Sequence, residues 1–509
     1  MNSDGSEKTA RDLAKGGGII LLGSFAGLAM EYGMRVMVAR NLGVSQYGLL
    51  AIGTSVLMIA GTFGLLGLQS GLSRFISFYR GRNETGKVKG TLTGGLMITV
   101  PVSILFGIVT FVSAEKLSVW FFNEPEMIPV IRILSAGVPL LSVFFFLLAV
   151  LRGFKNMGYF TAARDFSEKG SRLVLTAAVL IAGFGLLGVC WVYPAALIVS
   201  IITGMFLLRR IVRKEKDWDA SDHVSVKKDL VVFSLPLMGV RMLGIFRHRI
   251  DTIIIGFFMT SYYTGLYNAA MPIARALQMV LSSLNGIFMP SISELYAQNN
   301  IQELRSVYRR TAKWTFCLTL PAYLFILTFS RQIIMAMFGS EYKDAWIPLV
   351  ILATGIFINT SSGSFGDTFI AVGKTGVNLL IVVFLVSINI ILNIILIPLW
   401  GIAGASMANA VSLIIVCIIG FLYLYKVLKL QPFSVYHVKI LLSGSIALGA
   451  GWLFYYLMSD FFNGDILFVF LSFFLIYILH FILLYVFGGM DEIEQNMIKN
   501  IIAKFTAGK

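Results

Sequence analysis

Arginine dominates the charges that interrupt the long apolar runs of this 509-residue chain. Glu31 and Arg35 fall in the first run. Arg241, Arg247, His248, Arg249 and Asp251 fall in the seventh, and Arg275 in the eighth. A charge at the centre of a membrane span costs about 2.5–3.5 kcal/mol on insertion scales, so an ionisable residue there marks function by default. A guanidinium stays charged at any relevant pH, and its planar fork can hold phosphate oxygens in pairs. Arg35, Arg241, Arg249 and Arg275, with Glu31, are therefore candidate binding residues for an anionic group such as a diphosphate, and they suit an organic cation poorly.

Structural roles compete with that chemistry. Glu31 and Arg35 stand four apart in the favourable order and can neutralise one another. Arg247, His248 and Arg249 can snorkel to water from the outer end of a long span. Arg241 and Arg275 lie deeper, with no carboxylate one turn away.

A second constellation is rich in oxygen. Asp251 closes the seventh run, Asn389 and Asn393 share one helical face of the eleventh, and Ser406 and Asn409 lie early in the twelfth. Converging carboxylate and amide oxygens can hold a small hard cation such as sodium. Their commoner use is hydrogen bonding between membrane helices. No metal-spaced His/Cys cluster, Walker-type loop or nucleophile–base pair stands out. Of four histidines, His223, His437 and His480 lie away from the charged runs. The chain reads as a non-enzyme without metal or organic cofactor, with sodium or a proton as the coupling ion if there is one.

Membrane helices must position these residues. Hydrophobic residues make up 57% of the chain and charged ones 13%, against about 45–50% and about 25% in soluble proteins. The runs of roughly 20 apolar residues suit a hydrocarbon core of about 30 Å. Fourteen spans are expected, near 17–38, 47–70, 92–114, 128–150, 172–187, 189–208, 230–256, 262–288, 314–330, 347–370, 377–397, 402–425, 438–458 and 466–487. The polar start, with Lys8, Arg11 and Lys15, has no cleavable signal behind it. Cys190, Cys317 and Cys417 sit inside spans and suit packing.

The formal charge of +15 reflects topology rather than nucleic acid. Loop 71–91, with Arg74, Arg80, Arg82, Lys87 and Lys89, and segment 209–229 are rich in Lys and Arg, whereas the intervening loops hold few. That alternation puts both termini and the basic loops in the cytoplasm.

Gly185, Gly188, Gly204 and Arg210 return as Gly401, Gly404, Gly420 and Lys426, each displaced by 216 residues. Pro101 returns as Pro321, Lys155 as Lys374, and the Gly48-Leu49 step as Gly265-Leu266. Two parallel six-helix repeats follow: 1–208 and 230–425, joined by a cytoplasmic connector at 209–229, with an extra helix pair and tail at 426–509. Pro101, Pro139, Pro194, Pro236, Pro272, Pro321 and Pro398 fall inside spans, where they can hinge helices or shape packing. Gly23/Gly27 and Gly67/Gly71 have the small-xxx-small spacing that lets helices approach closely. Ile493, Met497, Ile501, Ile502 and Phe505 share one face of the tail, which can lie on the inner membrane surface.

The stretch from Arg35 through Arg40-Asn-Leu-Gly43 to Tyr47-Gly48-Leu49 resembles the opening of Wzx-like polysaccharide transporters in the multidrug/oligosaccharidyl-lipid/polysaccharide (MOP) flippase superfamily. So do Arg249-Ile-Asp251 running on to Gly256, Gly265-Leu-Tyr267-Asn268-Ala-Ala270, and Pro290-Ser-Ile-Ser. The resemblance implies a MATE-like V-shaped arrangement of the repeats. It also implies carriage of a lipid-linked oligosaccharide on a polyprenyl diphosphate from the inner to the outer face of the cell membrane, for glycan synthesis. Arg35, Arg241 and Arg275 would engage the diphosphate-sugar while the tail stays in membrane lipid. Asp251, Asn389 and Asn393 resemble a sodium site of related flippases, although amides stand here where a further carboxylate can occur. Glycan polymerases or glycosyltransferases would be its partners. The rivals are a drug or organic-cation antiporter of the same superfamily, which an acidic cavity would favour, and a membrane-embedded glycan polymerase or glycosyltransferase, which would need a sizeable catalytic loop. A scaffold has no need of buried arginines.

Overall fold

The computed structural model describes residues 3–215, 218, 223–462 and 466–489, which form helices joined by short turns, with no strand among them. The apolar face expected at 493–505 and part of the 209–229 connector lie outside the described residues. The chain divides into two compact units, Met1–Gly265 and Leu266–Lys509.

In the first unit α1 (Ser3–Leu65) is two helical arms meeting at Gly43, whose φ of 77° and ψ of 175° break the helix. A side chain would strain that conformation. Leu66 and Gly67, both left-handed, turn the chain into α2 (Leu68–Gly81), followed by α3 (Thr85–Val112) and the single turn α4 (Ala114–Lys116). The stretch 71–91, expected as a basic loop, is thus helical for much of its length. Its first helix buries Leu68, Leu72 and Ile76 on one face while carrying serines and Arg74 elsewhere, which lowers its mean hydropathy below that of a span.

The run 128–150 is two helices, α5 (Met127–Ser135) and α6 (Gly137–Gly153), bent by 41° at Ala136. Pro139 lies just past that break. It has no N–H for the Ser135 carbonyl, so it marks the corner rather than kinking one helix. Then come α7 (Met157–Thr161), a π-helical stretch Ala162–Glu168, α8 (Lys169–Ile181), α9 (Gly185–Val212) and α10 (Lys227–Phe258). The two spans that the sequence barely separates are a true hairpin, because Gly183 and Gly185 both adopt positive φ between α8 and α9. α10 packs against α1 and α2.

α11 (Ser261–Ala276) leads into the second unit, which contains α12 (Gln278–Ala297), α13 (Ile301–Phe338), α14 (Trp346–Ser361), α15 (Phe365–Ala371) and α16 (Thr375–Leu428). α16 is again two arms, broken at Gly401. Gly185 and Gly401, which correspond in the repeat, turn their corners at φ 58° and 59°. The appended pair, α17 (Val435–Phe462) and α18 (Ile466–Val486), packs on itself and on α13. There His480 is fully buried, its Nδ1 3.1 Å from Ser443 Oγ and its Nε2 3.8 Å from Cys317 Sγ. All three cysteines are buried and unbridged.

Eight helices among the described residues are long and apolar enough to cross a membrane. With α1 and α16 counted as two arms each, and the bent and shorter helices included, the set agrees with about fourteen passes. Leu105 and Ile108 of α3, Ile202 and Phe206 of α9, and Ile391 and Ile395 of α16 point outward. Such continuous apolar surface is unfavourable in water and is what a bilayer covers.

Candidate functional site

The first unit contains an open cavity of about 740 Å³. α2 supplies its most polar wall: Ser70, Ser73 and Ser77 recur at helical spacing, flanked by Gln69, Arg74 and Phe78. That wall can be polar because the opposite face of α2 carries the packing. Ile76 meets Gly153 of α6 so closely that a Cβ there would lie 2.9 Å from it. Ser77 Oγ donates to the Gly153 carbonyl at 2.7 Å across the same crossing. α6 contributes Phe145, Leu148, Ala149 and Arg152. Phe160 of α7, Arg164 of the π-helical stretch and Arg241 of α10 complete the lining.

Four arginines and no carboxylate therefore face one space. Aromatic rings hold three of these cations. Arg74 lies over the Phe233 ring at 4.2 Å. Arg152 and Arg164 both lie over Phe160, at 4.7 and 5.0 Å from its centroid. Aromatic faces attract guanidinium without consuming its N–H donors. Arg164 alone of the four has an ion-pair partner among the described residues: it donates to Asp165 Oδ2 from Nε (3.0 Å) and Nη2 (2.7 Å), and to Ser24 Oγ from Nη2 (2.8 Å). The donors of Arg74, Arg152 and Arg241 face a space whose walls offer serine and glutamine but no anion. In a low-dielectric surround such a set attracts a multiply charged anion and repels cations.

Of the residues singled out from the sequence, Arg241 lines this cavity. Glu31 and Arg35 do not. They pair with each other at 2.9 Å, and Glu31 also faces Lys169 at 3.9 Å. Lys169 reaches Asp165 at 3.1 Å, so the pair joins a charge network that ends on Arg164, one residue of the cavity wall. Arg249 and Asp251 lie further along α10, Asp251 being buried. Arg275 is in the last turn of α11, in the second unit. Asn389 and Asn393 are buried in the first arm of α16, and Asn393 Nδ2 donates to the Asn389 carbonyl at 2.8 Å and to its Oδ1 at 3.2 Å. Asn409 lies in the second arm. Among the described residues no three His, Cys, Asp or Glu side chains cluster as a metal site would require.

Arg74, Arg152 and Arg164 were not legible as site residues. Arg74 and Arg152 sit just past the ends of apolar runs and Arg164 between two of them, where charge is ordinary. A signal existed in the serine spacing of 70, 73 and 77, which gives a polar helical face directly after a span.

The chain matches the family model described as "Polysaccharide biosynthesis protein" over residues 13–296, more than half its length. A second model, MatE, matches residues 236–395. The chain is 24% identical over 407 residues to the probable low-salt glycan biosynthesis flippase Agl15 of Haloferax volcanii, covering 79% of this chain and 81% of that one. Among solved structures it is similar to the lipid II flippase MurJ in an inward closed conformation, with a TM-score of 0.71 at 16% identity over 92% of this chain and 98% of that chain. It is also similar to an inward-facing multidrug resistance MATE family transporter of the MOP superfamily, with a TM-score of 0.65 at 17% identity over 79% and 94%. The fold is that of these membrane transporters, as the resemblance of the motifs implied.

Proposed function

Because the chain belongs to the polysaccharide biosynthesis protein family, we propose that it is a lipid-linked oligosaccharide flippase, moving a polyprenyl-diphosphate-linked glycan from the cytoplasmic to the outer face by alternating access. It is a transporter and not an enzyme. The observation that carries this function is the cavity wall of Arg74, Arg152, Arg164 and Arg241 without a carboxylate. A diphosphate linkage carries the charge that this wall lacks, and each of its phosphoryl groups offers oxygens to a guanidinium fork.

The physical need for such a cavity is plain. Moving one unpaired sugar hydroxyl into hydrocarbon costs about 4–8 kcal/mol, so an oligosaccharide does not cross unaided. Serine and glutamine on the same wall replace water for part of the headgroup. An organic-cation antiporter, the rival within the fold, would place a cation among four cations.

Further elements of the proposal rest on the sequence. Arg249 and Arg275 are secondary headgroup contacts, and Arg35 with Glu31 supports the wall through the charge network. Asp251, Asn389, Asn393 and Asn409 are the residues for sodium or proton coupling. The basic segments put both termini in the cytoplasm of a cell-membrane protein, beside the glycosyltransferases or polymerases that make and use the glycan.

Binding to the purified protein tests the choice between anion and cation. A polyprenyl diphosphate should bind and be displaced by rising salt, while ethidium should not bind. Ethidium binding with no affinity for the diphosphate would turn the assignment to the antiporter.

A further inference from the structure

Arg164 and Asp165 are consecutive residues in a π-helical turn, yet they face different surroundings. Arg164 looks into the cavity, whereas Asp165 is fully buried. Asp165 Oδ2 accepts from both Nε and Nη2 of Arg164, Ser24 Oγ accepts from Nη2, and Asp165 Oδ1 accepts from Lys169 Nζ. Three of the five N–H donors of Arg164 are thus engaged within the protein, and its Nη1 pair remains for the cavity. The carboxylate has no slack of its own. It lies against α1 where Gly27 has no side chain, and a Cβ there would sit 2.8 Å from Oδ1. One helical turn earlier, Gly23 meets Thr161 in the same way. The small-residue pair of α1 is therefore the seat of the π-helical stretch.

Phe160 completes the arrangement. Two guanidiniums share its ring, which puts their carbons no more than about 9.7 Å apart. Like charges this close repel one another, and an opposite charge or an aromatic face beside them offsets that repulsion. Asp165 and Phe160 supply these.

We propose that Asp165 and Phe160 are the specificity-determining residues of this cavity: they hold Arg164 and Arg152 as a fixed pair that selects a diphosphate over a monophosphate. The inference rests on the diphosphate-binding function proposed above. Arg152 can take one phosphoryl group of a diphosphate with its fork, and Arg164 the other with its remaining Nη1 donors. A monophosphate satisfies one of these two donor sets and leaves the other without an anion. If Arg164 were mobile, it could swing to share a single phosphate with Arg152, and the distinction would fade. Asp165 is a positioning residue in this scheme and does not touch the ligand.

The test compares farnesyl diphosphate with farnesyl monophosphate on the intact protein by equilibrium binding. The native chain should prefer the diphosphate by about tenfold or more, the worth of one charge-assisted contact. Asp165→Asn should lose most of that preference while keeping or increasing its affinity for the monophosphate, since a negative charge has gone. Asp165→Glu should restore part of the preference. Phe160→Leu, which leaves the ion pairs in place, should also lower it and serves if Asp165→Asn does not fold. A merely structural role would weaken both ligands in proportion. A native chain that binds both ligands equally, or variants that keep the native ratio, would overturn the inference while leaving diphosphate binding intact. A native chain that binds neither would overturn the proposed function as well.

Discussion

Gly48 and Gly265, equivalent positions of the duplicated chain, make reciprocal contacts within the first unit: Gly48 lies against the backbone carbonyl of Ser261, and Gly265 against that of Val44. Each glycine meets the residue four before its counterpart, so the repeat is written into a local two-fold contact. Neither position has room for a Cβ. Adding a methyl group to a packed crossing costs about 1–3 kcal/mol. Gly48→Ala and Gly265→Ala should each lower the thermal unfolding midpoint in detergent. Gly376→Ala, at a position with open space around the would-be Cβ, should leave it nearly unchanged. Equal midpoints for all three would remove the steric argument.

The cavity arginines should be separable by their contacts. Arg152 and Arg241 make no ion pair among the described residues, so removing either leaves no orphaned carboxylate behind. Arg152→Ala and Arg241→Ala should each weaken binding of a polyprenyl diphosphate by about ten- to hundredfold, with little change in stability. The affinity of the native chain should fall as ionic strength rises, because a multiply charged ligand in an open cavity is screened. Binding indifferent to salt and to both substitutions would place the headgroup elsewhere.

Glu31 and Arg35 call for a different measurement, because each is the other's partner at 2.9 Å and both are about three-quarters shielded. Glu31→Gln or Arg35→Gln should destabilise the protein by stranding one charge, and the double substitution should cost less than the sum. The coupling expected for a pair in direct contact is about 0.5–3 kcal/mol. Strict additivity in a thermal double-mutant cycle would mean that the pair contributes nothing.

Sodium coupling through the amides of α16 makes its own prediction. Flipping by the native chain should be faster with an imposed sodium gradient than with potassium, and Asn393→Ala should abolish that difference. A sodium effect that survives in Asn393→Ala, or no sodium effect in the native chain, would remove these residues from coupling.

Much of the scaffold was legible in the sequence because a span must be apolar over a fixed length and a repeat must preserve its corners. The 216-residue spacing related Gly185 to Gly401, and both turn corners at positive φ. Arg241 was legible for a related reason: a charge deep in an apolar run has no ordinary explanation. The rest of the site was hidden by the same logic. Arg74 rides on α2, a helix whose polar face faces a cavity and whose hydropathy therefore falls below that of a span, so it counted as a loop charge. Arg152 stands at a helix end and Arg164 in the π-helical stretch, and what distinguishes them is the shared Phe160 ring, which joins two helices across a turn. The corner at Ala136 was likewise read as a proline inside one helix, since Pro139 records the missing hydrogen bond but not the direction of the bend.

In the proposed function, four arginines in the first unit bind the diphosphate of a lipid-linked glycan during its passage across the membrane. The most direct measurement is flipping of a labelled polyprenyl-diphosphate oligosaccharide in proteoliposomes by the native chain and by the Arg152→Gln/Arg241→Gln double variant. The native chain should move the lipid, and the double variant, folded and inserted to the same extent, should do so about a hundredfold more slowly or worse. Equal rates in the two, or a native chain that exports organic cations and leaves the glycolipid where it was, would contradict it.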